Sequence, residues 1–311
     1  MNKPTLFPRR QILQLGAASV AGLAMMRTSA VDAAPAAGKP WLRKTLKIGM
    51  IGVKGSLADK FAAAKEAGFE GVELNAPGFN VEEANAAAKA TGLIIDGTVG
   101  SDHWGVRHTD PDPEVRAKAL VSLRKGIEQT AAVGADTMLL VPGRGSDGTA
   151  DEVFKRALDN ISQALPDAEK HGVSILMENV WNEMFYDVDG GTEQTADAFA
   201  AFIDAFDSPW VGAQFDIGNH WRFGDPAGWV RTLDQRIKKL DIKGFSRETG
   251  KFTKITEGDI DWPSVKKALR DIKFTGWLAA EVGGGDLERL KEVSRNLDKA
   301  LQCSESVPSV G

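Results

Sequence analysis

Four acidic residues in the C-terminal half of the chain each follow a short apolar run. They are Glu178 in ILMEN, Asp216 in AQFDI, Asp241 in KKLDI and Glu281 in LAAEV. Burying one carboxylate without a partner costs on the order of several kcal/mol, so each acid is predicted to have a partner. For any one acid, a backbone amide or a nearby base such as Lys243 or Arg222 would suffice.

Four carboxylates that converge on one place need more than isolated partners, because like charges repel strongly in a poorly solvated site. Protons, lysine or arginine side chains, or a cation would relieve this repulsion. A divalent cation fits best, since carboxylate oxygens neutralise its charge and leave coordination positions for water or a substrate. The four acids are therefore predicted to hold a metal ion, if the fold brings them together.

The acids belong to a repeating pattern of short apolar runs and longer segments with helical periodicity. Eight apolar runs are predicted strands, at residues 46–53, 71–75, 93–100, 136–143, 173–180, 211–219, 238–245 and 277–284. Eight strands, each followed by a helix, predict an α/β fold of the (β/α)8 TIM-barrel type. A doubly wound open sheet would need a glycine-rich phosphate loop after the first strand, and GVKGSLADKF lacks that motif.

A barrel would bring the four acids to one mouth. Each acid lies near the C-terminal end of its predicted strand, and the active sites of such barrels lie at that end. Because side chains alternate along a strand, Asp216 is predicted to point inward while Phe215 and Ile217 pack outward. The same alternation applies to Asp241 between its apolar neighbours.

Composition and the N-terminus bound the remaining possibilities. The net charge is −5 over 311 residues, which argues against a nucleic-acid partner. Arg9-Arg10 before a Gly- and Ala-rich apolar stretch resembles a twin-arginine signal, with cleavage expected near Ala33. We therefore expect a signal and linker at 1–40, a barrel at 41–303 and a polar tail at 304–311. This organisation predicts a periplasmic protein that is a client of the twin-arginine export machinery.

Longer motifs resemble the sugar phosphate isomerase/epimerase superfamily with the xylose isomerase-like barrel, which also includes endonuclease-IV-like enzymes. The segments that carry the resemblance are GFEGVELN, LMENVWN, QFDIGNHW, KLDIKGFS, EGDIDWPSVKKAL and FTGWLAAEVGG. The resemblance spans roughly residues 46–300 and does not specify one substrate. Members of the superfamily are often dimers or tetramers, so it also implies a homo-oligomer.

The resemblance implies a metal held by Glu, Asp, His and Glu from the last four strands. Glu178, Asp216 and Glu281 match this pattern, and the two glutamates are implied to serve also as acid/base groups beside the substrate. Strand seven departs from it, because Asp241 stands where relatives often carry the histidine of H-x-K-D. An all-oxygen donor set favours Mn²⁺ or Mg²⁺ over Zn²⁺. Alternatively, Asp241 is not a ligand, or His220 supplies a nitrogen.

Several further residues are candidates for the rim of the mouth. Three tryptophans that follow predicted strands are expected to stack on the C–H faces of a carbohydrate: Trp104, Trp181 and Trp221. His103 is expected to bond a substrate hydroxyl or shuttle a proton, unless it only packs on Trp104. Lys243 would polarise a carbonyl or neutralise the acids. Glu73 is a further candidate for a polar contact with the substrate.

These features predict a metal-dependent isomerase or epimerase that acts on a sugar or keto-sugar through an enediolate. A 3-keto-glycoside lyase would use the same proton abstraction and then eliminate the neighbouring substituent. A non-catalytic periplasmic sugar-binding barrel would keep the aromatic residues without needing a metal. Endonuclease-like cleavage of phosphodiesters is disfavoured, because that family uses several metal-binding histidines and only four histidines occur here.

Overall fold

The computed structural model describes residues 40–303 of the chain. The predicted polar tail and, apart from Pro40, the predicted signal and linker lie outside the described residues. Within residues 40–303, no helix is both long and apolar enough to cross a membrane.

Residues 40–303 contain ten strands, and eight of them form one parallel sheet in the order β1-β10-β7-β6-β5-β4-β3-β2. The strands are β1 (Leu42–Leu46), β2 (Gly71–Ala76), β3 (Ile94–Gly100), β4 (Thr137–Leu140), β5 (Ser174–Glu178), β6 (Val211–Asp216), β7 (Ile237–Ile242), β8 (Gly244–Ser246), β9 (Lys251–Thr253) and β10 (Gly276–Ala280). An isolated parallel bridge between Lys47 and Glu73 brings the two ends of the sheet together. The predicted (β/α)8 TIM barrel is therefore confirmed.

Ten α-helices accompany the strands in the described part of the chain. They are α1 (Leu57–Glu66), α2 (Val81–Thr91), α3 (Pro113–Ala132), α4 (Ala150–Ser162), α5 (Leu165–His171), α6 (Asp197–Asp204), α7 (Ile217–Trp221), α8 (Pro226–Leu233), α9 (Trp262–Asp271) and α10 (Leu287–Leu301). Local sequence sets many of their ends: Ser56 and Thr149 form capping boxes at the starts of α1 and α4. Pro166 lies in the first turn of α5, where its missing N–H leaves no helical bond unmade.

The first strand lies earlier than the apolar pattern predicted. It covers Leu42–Leu46 instead of 46–53, and residues 48–50 form a 3₁₀ turn. LRKTL pairs with β10 from Leu42 opposite Gly276 to Leu46 opposite Ala280. Its charged residues are paired, because Arg43 binds Glu70 at 3.1 Å and Lys44 binds Asp298 at 2.7 Å. Strand charges satisfied by distant ion pairs are invisible to a search for apolar runs.

The barrel interior contains charge as well as apolar side chains. Lys239 of β7 is fully buried, and its ammonium lies 2.8 Å from Glu73 of β2 and in contact with Asp96 of β3. Thr45 of β1 donates a hydrogen bond to the same Asp96. We call Glu73, Asp96 and Lys239 the interior ion network. It joins three strands that are distant in sequence.

Replacing Lys239 by Met tests the structural weight of this network. The variant keeps the volume of the side chain but removes the ammonium group that contacts two buried carboxylates, Glu73 and Asp96. We expect the free energy of unfolding to fall by about 3 kcal/mol or more, measured by urea denaturation. Lys155→Met is the matched control, because the Lys155–Asp159 pair is exposed and its loss should cost less than about 1 kcal/mol. Equal stability of the two variants would contradict a stabilising role for the interior ion network.

Candidate active site at the barrel mouth

The four predicted carboxylates meet at the C-terminal ends of neighbouring strands. Glu178 and Asp216 are the last residues of β5 and β6, Asp241 lies in β7, and Glu281 directly follows β10. One oxygen from each of the four lies within 4.8 Å of the others. We call these four residues the acid cluster. Three of its members are buried and Glu281 is partly buried.

Two lysines contact the acid cluster. The Lys243 ammonium lies 2.7 Å from Asp216 and 2.7 Å from Glu281. Lys47 reaches over from the end of β1, and its ammonium lies 3.2 Å from Asp241 and 3.3 Å from Glu73. With every group of the cluster ionised, its four carboxylates exceed these two ammonium groups by two negative charges, and Lys47 is also shared with Glu73. A divalent cation would balance that excess, and the cluster is one that could bind a metal ion.

Hydrogen bonds orient the acids before any ligand arrives. Asp216 caps α7 by accepting a hydrogen bond at Oδ1 from the Asn219 backbone N–H at 2.8 Å. The Asn219 side-chain amide donates to Glu178 Oε1 at 3.4 Å. Gln214 donates to Asp241 Oδ1 at 2.9 Å. These bonds restrict side-chain rotation, so the carboxylates are preorganised for a common ligand.

The two glutamates have opposite shifts in acidity. Burial raises the pKa of Glu178 well above its usual value, and the nearby Glu281 and Asp241 raise it further. Burial also raises the pKa of Glu281, but Lys47 and Lys243 outweigh it and bring the pKa below its usual value. The lysines therefore keep Glu281 ionised, whereas Glu178 retains a proton more readily.

The two aspartates are also weakened as acids. Burial raises the pKa of Asp241 to about 8, although Lys47 acts in the opposite direction. Burial raises the pKa of Asp216 to about 6 against the pull of Lys243. A carboxyl with a raised pKa gains from a further positive charge beside it, so both aspartates favour a cation at this position.

His103 and Trp104 follow β3. The Val141 backbone N–H donates to His103 Nδ1 at 3.2 Å, so Nε2 of a neutral ring carries the proton. Burial lowers the pKa of His103 to about 4, which keeps the ring neutral. Trp104 packs edge-on against it, with ring centroids 5.5 Å apart, and remains 47% exposed.

The other two predicted tryptophans are covered by neighbouring side chains. Trp181 stacks on Phe252 with centroids 5.0 Å apart, and the Arg222 guanidinium lies 4.6 Å from its ring centroid. The Arg247 guanidinium lies 3.7 Å from the Trp221 ring centroid. Both indoles thus already make ring contacts within the protein.

The structure does not bring His220 or Glu73 into the open part of the mouth. His220 is fully buried, with its ring 3.8 Å from that of Trp229 and 5.8 Å from that of Tyr186. It lies in an aromatic stack and is not a member of the acid cluster. Glu73 is 1% exposed and is engaged by Lys47 and Lys239, so it belongs to the barrel interior.

Sequence reasoning did not find Lys47, Gln214 or Asn219. Placing the first strand at 46–53 put Lys47 near the beginning of that strand, far from the mouth. Gln214 was detectable, because it lies two residues before Asp216 and therefore shares its face of β6. Asn219 follows Asp216 by three residues, the spacing of a helix cap.

Two relatives match parts of the chain. The uncharacterized protein MJ1311 of Methanocaldococcus jannaschii is 26% identical over 176 residues, which cover 54% of this chain and 57% of that protein. A probable endonuclease 4 of Acholeplasma laidlawii is 27% identical over 100 residues, covering 32% of this chain and 34% of that protein. The matches therefore span about half and about a third of these relatives.

Similarity to a solved structure extends over most of the barrel. A 3-keto-D-glucoside 4-epimerase from E. coli superposes with a TM-score of 0.69 at 18% identity, covering 84% of this chain and 100% of that chain. At this low identity, the superposition shows a common fold. The family described as the xylose isomerase-like TIM barrel matches residues 61–303. Together with the eight-stranded parallel barrel described above, this match shows that the chain belongs to the xylose isomerase-like TIM barrel family.

Proposed function

We propose that the chain is a divalent-metal-dependent isomerase or epimerase of a sugar or keto-sugar, working by proton transfer through an enediolate. The observation that supports this most is the placement of Glu178 and Glu281 in one preorganised cluster. Proton removal and proton return need two such groups. The shared fold with a keto-sugar epimerase is consistent with this chemistry.

In this proposal, Glu178, Asp216, Asp241 and Glu281 hold Mn²⁺ or Mg²⁺. When bound, the ion would act as a Lewis acid on a carbonyl and an adjacent hydroxyl of the substrate. The donor set supports a hard cation, since the cluster contains four carboxylates and no histidine among the described residues.

The remaining steps are assigned to side chains of this chain. Glu281, kept ionised by Lys47 and Lys243, takes the proton from the carbon beside the carbonyl. Glu178 returns a proton to the neighbouring carbon or to the opposite face. His103 donates from Nε2 to a substrate hydroxyl, and the exposed ring of Trp104 packs on the sugar. Neutralisation of the acids by Lys243 is the role that its two 2.7 Å contacts favour.

Exchange of solvent deuterium tests the roles of the glutamates. The wild-type protein in D₂O should place deuterium in recovered ketose or 3-keto-glucoside, measured by mass spectrometry. Glu178→Gln and Glu281→Gln should each slow this exchange by about 100-fold or more, the usual cost of losing an acid/base group. Glu248→Gln is the control, because Glu248 is exposed in the loop between β8 and β9.

Other outcomes of this experiment point to other functions. Release of the glycosidic substituent from a 3-keto-glucoside would identify the lyase reaction, in which the same deprotonation is followed by β-elimination. Binding of sugar without exchange or release would indicate a carbohydrate-binding barrel. Full activity of both glutamine variants would show that these glutamates are not the acid/base groups.

Metal binding is tested without reference to turnover. We expect about one equivalent of Mn²⁺ or Mg²⁺ in protein purified without chelator, measured by elemental analysis. Saturation at 100 times the dissociation constant should add about 2.7 kcal/mol to the free energy of unfolding. Asp216→Asn should weaken binding, whereas Asp159→Asn should not, because the Asp159 side chain is exposed on α4. A wild-type protein that neither retains nor binds a divalent ion would contradict the metal assignment.

We also propose export of the folded protein to the periplasm through the twin-arginine route, supported by Arg9-Arg10 and the small residues before residue 40. Replacing both arginines by lysine should leave the protein in the cytoplasm with its N-terminal segment intact. Fractionation and N-terminal sequencing measure this outcome. A Lys-Lys variant that is exported and processed normally would contradict the proposal.

A further inference from the structure

A hairpin after β7 places an exposed aromatic ring beside the acid cluster. β8 and β9 are antiparallel, with Phe245 opposite Phe252. Phe245 is buried, whereas Phe252 is 49% exposed. The two rings pack at 5.4 Å in an edge-on arrangement. The buried ring therefore anchors the hairpin, and the exposed ring is held in a defined position above it.

Phe252 is fixed by a second ring as well. It stacks on Trp181 at 5.0 Å with an interplanar angle of 17°. Trp181 is in turn held by a 2.8 Å hydrogen bond from its indole N–H to the Asn219 carbonyl oxygen. The same Asn219 contacts Glu178. The aromatic pair and the acid cluster thus share a support, so their relative position is defined.

Phe252 lies beside the acid cluster and contacts one of the lysines that neutralise it. The Lys243 ammonium lies 5.2 Å from the Phe252 ring centroid and 2.7 Å from Asp216 and Glu281. A sugar carbon that exchanges a proton must contact the carboxylates directly. Phe252 contacts Lys243, which itself contacts two of these carboxylates, so the ring is placed to meet a group that the sugar carries.

Exposure makes Phe252 the available aromatic face on this side of the mouth. In the part of the chain that the structure describes, only Trp104 and Phe252 are aromatic residues with exposed side chains. The predicted platforms Trp181 and Trp221 already contact Phe252, Arg222 and Arg247. An apolar ring that is fixed in place and left open to solvent suits stacking with a ligand ring.

We propose that Phe252 forms a subsite for an apolar ring attached to the substrate sugar, that is, the aglycone of a keto-glycoside. The proposal rests on the proposed function for its choice of sugar, and it adds that the substrate is a glycoside. Trp181 is the positioning residue behind Phe252. The ring of the aglycone stacks on Phe252 while the keto-sugar lies against the acid cluster.

Paired ligands test the subsite. Phenyl and methyl 3-keto-β-D-glucosides differ only in the aglycone. Their binding is measured by calorimetry with wild-type protein, Phe252→Ala and Phe252→Tyr. We expect the phenyl ligand to bind the wild type about tenfold more tightly than the methyl ligand. Phe252→Ala should remove this preference and leave methyl affinity unchanged, and Phe252→Tyr should retain it. Unchanged methyl affinity also shows that the alanine variant is folded.

The outcomes separate the subsite from the proposed reaction. Equal binding of both ligands by the wild type, or a phenyl preference that survives in Phe252→Ala, overturns the subsite even where deuterium exchange with ketoses succeeds. A phenyl preference that depends on Phe252 supports the subsite even where no exchange occurs. Absence of binding by either ligand overturns the subsite, and exchange into free ketoses then judges the reaction on its own.

Discussion

The balance of charge inside the barrel is the constraint on which the rest of the structure depends. Six carboxylates and three ammonium groups lie in or just below the mouth: Glu73, Asp96, Glu178, Asp216, Asp241, Glu281, Lys47, Lys239 and Lys243. An uncompensated charge at this depth is strongly destabilising. Lys47 follows β1, Lys239 lies in β7 and Lys243 follows β7, so these charges are neutralised only when the barrel is closed. The remaining excess of negative charge is concentrated at the mouth, where a cation and a substrate have access.

Much of this arrangement was predictable from the sequence, because it depends on local periodicity. Apolar runs marked seven of the eight barrel strands, and alternation along each strand placed the four acids on one side. The predicted position of β1 was wrong, because its lysine and arginine interrupt the apolar pattern and bind partners up to 254 residues away. Because of this error, the sequence did not predict that Lys47 contacts the acid cluster. Ion pairs between distant strands depend on register, which no single segment encodes.

Whether an individual predicted side chain lies in the open mouth depends on its neighbours in the folded structure. His220 and Trp221 are adjacent in sequence, yet one lies in a buried aromatic stack and the other contacts Arg247. Glu73 shares the acidic character of the cluster but is engaged by two lysines. The sequence did not predict a role for Phe252, because KFTK resembles an ordinary surface strand that contains one phenylalanine. Chemistry-bearing residues at strand ends could be inferred, whereas residues positioned by packing required the structure.

Asp241 illustrates how this member departs from the pattern it resembles. An aspartate in place of a histidine makes the cluster all-oxygen, and Lys47 and Gln214 hold that aspartate in place. The most direct measurement is a crystal structure with Mn²⁺, located by its anomalous scattering. We expect one Mn²⁺ within about 2.5 Å of oxygens from the acid cluster, with Lys243 displaced from Asp216 or Glu281. A cluster without Mn²⁺, still bridged by Lys243 at saturating metal, would contradict this expectation.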